Sequence, residues 1–331
     1  MAKFVGRNAG VGIGKESPRG TAVAPTFWIP WATLSFNDKV DRILEEAAFG
    51  NIADADSSYT VKSWGEGSIE ADIHENYVGL ILAALAGAAP TTTDGTIPAT
   101  DYVHTYTLQN INNKLSLSLA MHTPNQDVLF PFGMIDKYTI SVKPASICRN
   151  TIDFRSQKSK DWQILTPTYT SLGDKYLSKH TAFYLATSSA TYITDLDTEE
   201  ASPTGKIAIT SLTLNINNNL ADWDTLGTVT PVDIVNRTFS VDGEIELSFD
   251  NNTYRDYVME GTYKAARIKF TIGDDNSLQI DMPKVDFREW EPNIALDDIA
   301  TQKFTFKALY DSANGISQIG NLVLKNQNQN Y

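Results

Sequence analysis

Apolar and polar residues alternate along most of this chain. In Gly67-Ser68-Ile69-Glu70-Ala71-Asp72-Ile73 every second residue can face a core, which is the period of a strand buried on one face. The same period predicts strands over 33–36, 59–73, 105–108, 114–121, 137–143 and 146–156. It returns over 181–186, 206–216, 237–249, 267–272, 277–282 and 301–309. Only two segments break it. Residues 77–86, after the cap-like His74-Glu75-Asn76 and before Gly87 and Pro90, are apolar on nearly every face and predict a helix buried between layers. Residues 253–264 follow Asp250-Asn251-Asn252 and predict a second helix, with Tyr254, Tyr257, Val258 and Met259 on one apolar face.

These elements repeat in order. Leu34-Ser35-Phe36-Asn37-Asp38-Lys39-Val40 is echoed by Leu214-Asn215-Ile216-Asn217-Asn218-Asn219-Leu220, and the segment from Gly67 to Ile73 by Gly243-Glu244-Ile245-Glu246-Leu247-Ser248-Phe249. Leu115-Ser116-Leu117-Ser118-Leu119 is echoed by Leu278-Gln279-Ile280-Asp281-Met282, and Ile152-Asp153-Phe154-Arg155 by Phe304-Thr305-Phe306-Lys307. The offsets are 180, 176, 163 and 152 residues. Four collinear pairings around a shared helix position imply a tandem duplication with shorter loops in the second copy. The expected organisation is an extended arm over 1–26, a first β-domain over 27–160, a connector over 161–180, a second β-domain over 181–311 and a polar tail over 312–331. Residues 37–58 and their counterpart 217–236 read as long polar loops, a length that in a compact domain signals function.

Composition narrows the class. A chain of 331 residues, 42% hydrophobic and 20% charged, suits two β-rich domains with cores of their own. No apolar run is long enough to span a bilayer, and the N-terminus lacks the hydrophobic core of a signal peptide, so no membrane partner is expected. The single Cys148 excludes an internal disulfide. The formal net charge of −13 argues against a protein that grips nucleic acid, because gripping needs cations to displace counterions from phosphates. It suits a wall that a polyanion must slide past without sticking.

Catalytic and cofactor chemistry does not assemble from the sequence. Gly10-Val11-Gly12-Ile13-Gly14-Lys15-Glu16-Ser17 lacks the leading glycine and trailing Ser or Thr of a phosphate-binding loop, with Ala9 and Glu16 in those places. His74, His104, His122 and His180 have no zinc-ligand spacing, and Cys148 sits inside a strand pattern. The acidic pairs Asp54/Asp56, Asp195/Asp197, Asp274/Asp275 and Asp297/Asp298 lack the remainder of a calcium loop. No cofactor, no metal and no enzymatic activity are expected. The tryptophans Trp28, Trp31, Trp64, Trp162, Trp223 and Trp290 keep open an alternative, a two-domain carbohydrate-binding or adhesive β-sandwich protein.

The segment from Val11 to Pro30 carries Gly14, Glu16, Gly20, Thr21, Ala22 and Pro25 in a Gly-x-Glu-x-x-x-Gly-Thr-Ala-x-x-Pro order. It resembles the N-terminal arm of bacteriophage major tail proteins, the tail tube proteins of long-tailed phages. The resemblance implies a mainly β fold: two tandem antiparallel β-sandwich or barrel domains of tail-tube type, each with one flanking α-helix. It implies a virion structural protein, made in the host cytoplasm, that stacks as rings into the tube for genome ejection. A duplicated chain would close that ring as a trimer rather than a hexamer. The implied partners are further copies of the chain, the tape measure protein and double-stranded DNA in the lumen without specific binding, and the tail terminator and distal tail proteins. Expected contacts between subunits or rings are Gly14, Glu16, Gly20, Thr21 and Pro25 of the arm, and Asp41, Arg42, Glu45, Glu46, Asp54 and Asp56 of the first loop. Asp222, Trp223, Asp224 and Asp233 are their expected equivalents in the second loop.

Overall fold

The computed structural model describes residues 3–95, 101–170, 172–187, 192–294, 296 and 299–331. In the first half, β1 (Gly10–Lys15), β2 (Phe27–Ile29), β3 (Trp31–Leu34), β4 (Asn37–Glu45) and β5 (Ser57–Asp72) precede α1 (Tyr77–Ala86). Then come β6 (Thr91–Asp94), β7 (Tyr102–Tyr106), β8 (Leu117–His122), β9 (Asp127–Val142), β10 (Arg149–Gln157) and β11 (Lys160–Asp161). The second half holds β12 (Thr181–Leu185), α2 (Tyr192–Ala201), β13 (Ile209–Asn217), β14 (Leu220–Trp223), β15 (Asp233–Asn236) and β16 (Ser240–Ser248). It continues with α3 (Thr253–Glu260), β17 (Tyr263–Ile272), β18 (Asn276–Asn293), β19 (Thr301–Ala308) and β20 (Asn321–Asn326).

The duplication is written in the hydrogen-bond ladders. β4, β5, β10 and the end of β9 pair in that order, all antiparallel, and β13, β16, β19 and the end of β18 repeat it. Ile69 faces Ile152 in the first block, and Ile245 faces Phe304 in the second, which reproduces the sequence offsets of 176 and 152. Two echoes change. Leu34 faces Ile69 while Leu212 faces Ile245, so the first echo is offset by 178 residues and not 180; a two-residue shift keeps the same face. The strand before the long bent strand is β8 in the first half and β17 in the second, so the counterpart of 115–119 lies in β17 and not at 278–282.

The two blocks are joined edge to edge. Leu214 of β13 faces Ile140 of β9, which makes one front sheet of eight strands. Behind it, β2, β1, β8, the start of β9 and β11 form one back sheet, while β12, β17, the start of β18, β20, β7 and β6 form another. The sheets stay open among the described residues. β9 crosses between front and back at Phe132, a non-glycine residue with φ 59°. β18 crosses near the buried Pro283, beside a bulge where its missing N–H costs no ladder bond.

One core fills the space between, with residues of both halves. All ten residues of α1 are buried in it, and Gly87 ends the helix at φ 99°. α3 stops at Gly261, φ 64°, so residues 263–264 begin a strand and not a last helical turn. α2 is a third helix, polar in sequence and without an apolar stripe to announce it.

Three segments depart from the sequence reading. Gly10–Lys15 is no free arm but a buried strand between β2 and β8, because its small residues let Pro25, Trp28 and Pro167 pack directly on the backbone. Residues 37–58 are not a loose loop: β4 and the start of β5 form a projecting hairpin, exposed along nearly its whole length. The tail is anchored as well. β20 pairs with β18 and β7, and Tyr331 stacks on Phe27 and packs its ring against Gly79.

Candidate channel face and assembly hairpins

Alternation gives the front sheet one apolar face, turned to the core, and one open polar face. On the open face stand the carboxylates Glu66, Glu70, Asp72, Asp153, Asp242, Glu244, Glu246, Asp286, Glu289 and Glu291. They outnumber the cations Lys39, Lys62, Lys137, Arg149, Arg155, Arg288, Lys303 and Lys307. Thr139, Thr151, Thr213, Asn215, Asn217 and Thr305 fill the space between.

Short cross-strand contacts tie this layer together. Thr139 donates to Asn215 at 2.9 Å, Asn215 to Asp242 at 3.0 Å and Asn217 to Asp242 at 3.1 Å. Lys303 lies 2.8 Å from Glu244, whose hydrogen bond raises the ammonium pKa. Arg149 lies 2.9 Å from Glu70. Such a face is rigid, hydrated and net acidic, and it offers a polyanion no concentrated cationic grip. Both lateral edges of the sheet are free among the described residues: β4 pairs only with β5, and the end of β18 only with β19. Open edges of this kind accept another strand.

The residues singled out from the sequence divide into two sets. Glu16 is buried and organises its own chain: its carboxylate accepts from Ser118 at 2.8 Å, from Ser116, and from the backbone N–H groups of Gly20 at 2.8 Å and Phe132 at 2.9 Å. Gly14 and Gly20 are tightly packed, since a Cβ at Gly14 would meet the Ala24 carbonyl and one at Gly20 the Phe132 ring. Pro25 covers Gly12, and Thr21 is exposed beside them. Asp233 pairs with Arg19 at 2.7 Å. In the monomer these arm residues work within the chain.

The second set projects. Asp41, Arg42, Glu46, Asp54 and Asp56 are exposed on the β4–β5 hairpin, with Glu45 half-buried under Tyr59, which donates to it. Val40, Ile43, Leu44, Phe49 and Ile52 are exposed on the same hairpin, Ile52 fully. The β14–β15 hairpin, in contrast, is docked. Asp222 lies 2.7 Å from Lys62 and its Oδ1 2.9 Å from Arg155 Nε, and Asp224 lies 2.7 Å from Lys62. Partial burial lowers the Lys62 pKa, but the two carboxylates outweigh it and hold the ammonium above its usual range. Ser63 N donates to the Val229 carbonyl at 2.7 Å, and the Gln157 amide to Pro231 at 2.9 Å. Trp223 remains exposed at the tip. Sequence reasoning overlooked Arg19, Lys62 and Arg155, because their carboxylate partners lie far away in the chain.

The remaining chemistry is structural. Among the described residues no three His, Cys, Asp or Glu side chains are placed to hold a metal ion, and no helix is long and apolar enough to cross a membrane; Asp297 and Asp298 lie outside the described residues. Burial pushes the Cys148 thiol up to about 11, which makes it inert. A cavity of about 610 Å³ at the end of the second block is lined by Arg237, Phe239 and Tyr310 and by no tryptophan.

A family model described as phage tail tube protein matches residues 6–308. No curated protein matches the chain.

Proposed function

Because the chain belongs to the phage tail tube family, we propose that this structural protein of the phage tail polymerises as stacked rings into the tube through which the genome is ejected. The observation that carries the reading is the eight-stranded front sheet, polar on its open face and free at both edges. Sheets of neighbouring copies joined edge to edge bury those edges and curve into a wall. Each copy brings two four-strand blocks, so three copies present six and give a threefold ring that mimics a sixfold one. The open face then lines the lumen. Its carboxylate surplus repels DNA from the wall, and the tape measure protein occupies the same space before ejection.

The β4–β5 hairpins, and through them Asp41, Arg42, Glu45, Glu46, Asp54 and Asp56, make the contacts between copies. Their exposed apolar residues supply the surface to be buried. The arm residues Gly14, Glu16, Gly20, Thr21 and Pro25, and Asp233, shape the body against which such contacts form.

Negative-stain electron microscopy of the purified protein tests the reading. Hollow tubes whose end-on averages show three strong and three weaker lobes are expected, and six equivalent lobes would remove the trimer. Deleting residues 41–56 is expected to leave a folded monomer that does not polymerise. Polymerisation of that variant at wild-type yield would refute the assembly role.

A further inference from the structure

Within one chain, the β14–β15 hairpin of the second block lies over the strand ends of the first, held by Arg155, Lys62, Ser63 and Gln157. Among the described residues the β4–β5 hairpin of the first block has no such seat in its own chain, because no further block lies beyond β4. In a ring that block belongs to the next copy.

We infer that the docked hairpin is the template for the contact between copies: the β4–β5 hairpin of one copy lies over the second block of its neighbour and sets carboxylates against Lys307 and Arg237. The inference rests on the ring reading above and names the acceptor.

The ladder registers locate that acceptor. Arg155 follows Phe154, which faces Gly67, and Lys307 follows Phe306, which faces Gly243, so Lys307 stands where Arg155 stands. By the same registers Lys62 corresponds to Thr238, next to which stands Arg237, while Ser63 corresponds to Phe239 and Gln157 to Leu309. Arg155 is paired with Asp222, whereas Lys307, which stands across the ladders from Asp242 and Asp286, makes no ion pair within 4 Å among the described residues. Phe239, Arg237 and Tyr310 line the open cavity of about 610 Å³, whose lining contains no carboxylate although the chain is strongly acidic. The donor matches. Residues 45–56 hold Glu45, Glu46, Asp54 and Asp56 and no cation, and Phe49 and Ile52 present apolar surface between them.

A heterologous contact of this kind has a donor side and an acceptor side, so two defective chains can complement each other. One variant lacks residues 41–56; the other carries Lys307→Glu with Arg237→Glu. Circular dichroism checks that each folds. By light scattering after size exclusion, each alone is expected to remain monomeric up to its solubility limit, while the mixture forms a one-to-one heterodimer and stops there. Restoring charge with Glu45→Lys and Glu46→Lys in the second variant is expected to return self-assembly. A mixture that stays monomeric, or a Lys307→Glu, Arg237→Glu chain that assembles like wild type, overturns the acceptor even if wild-type tubes form. Wild-type chains that never form rings or tubes count against the ring reading, and the heterodimer still decides the dock.

Discussion

Gly243 lies directly opposite Phe306 across the β16–β19 ladder, as Gly67 lies opposite Phe154 in the first block. A Cβ at position 243 would come within 2.4 Å of the Phe306 ring and 2.7 Å of the Thr213 carbonyl. The glycine is therefore the space into which the aromatic ring of the neighbouring strand fits. Gly243→Ala is expected to destabilise the fold by about 1–3 kcal/mol, the usual cost of overpacking. Chemical denaturation checks it, and an unchanged midpoint would show that the ring moves aside without cost.

Glu16 should be the main anchor of the N-terminal segment. Four donors converge on its buried carboxylate, two of them the backbone N–H groups of Gly20 and Phe132. Glu16→Ala leaves them unsatisfied and is expected to cost about 3 kcal/mol or more. Hydrogen exchange would show the loss first as faster exchange over β1 and the Gly20 turn. Protection at wild-type level there would contradict the anchoring role.

The second half holds a buried charge network at α2. Arg267, 2% exposed, lies 2.8 Å from Asp281, which is fully buried, 2.7 Å from Glu200 and 2.8 Å from Asp197. Asp281→Ala strands a buried guanidinium and is expected to destabilise by about 3–5 kcal/mol. Glu200 adds a pH dependence. Burial works to raise its pKa, but Lys269 and Arg267 prevail and hold it below the ordinary glutamate value of 4.5. Its contribution is therefore fully present above that value and is lost as the pH falls through the lower folded-state pKa. Urea midpoints measured from pH 6 downward should fall less steeply for Glu200→Gln than for wild type.

Lys114 predicts a second rise of stability with pH, at high pH. It is 1% exposed, donates to the Leu85 carbonyl at 2.7 Å and to Asn218 at 2.8 Å, and burial lowers its pKa to about 8. Between about 8 and the unfolded value near 10.5 the unfolded chain binds the extra proton, so stability from this group rises with pH. Lys114→Met should remove that rise. Comparing wild type and variant from pH 7.5 to 9.5 isolates it, and parallel curves would mean the ammonium is better solvated than its burial implies.

How much of this was legible depended on distance along the chain. Strand period, the buried helix at Tyr77–Ala86 and two of the four repeat registers follow from residues near one another in sequence, because side-chain direction repeats every two residues in a strand and every 3.6 in a helix. The β-rich class, the duplication and the likeness of the Val11–Pro30 segment to tail tube arms came with them. Alternation could not say which face of the front sheet is open, since a period of two is symmetric until a partner covers one side. Nor could it show that the glycine-rich Gly10–Lys15 and the polar Asn321–Asn326 are strands. Each takes its structure from partners roughly a hundred residues or tens of residues away, Met121 for Val11 and Ile280 for Leu322. The same holds for Glu16, whose exposed-looking position in an arm became a buried hub only when Ser116, Ser118 and Phe132 arrived from strands about a hundred residues further along the chain. Local chemistry determined most of the elements; contacts between distant segments decided the remaining strands, which elements meet, which charges are buried and which hairpin is left free.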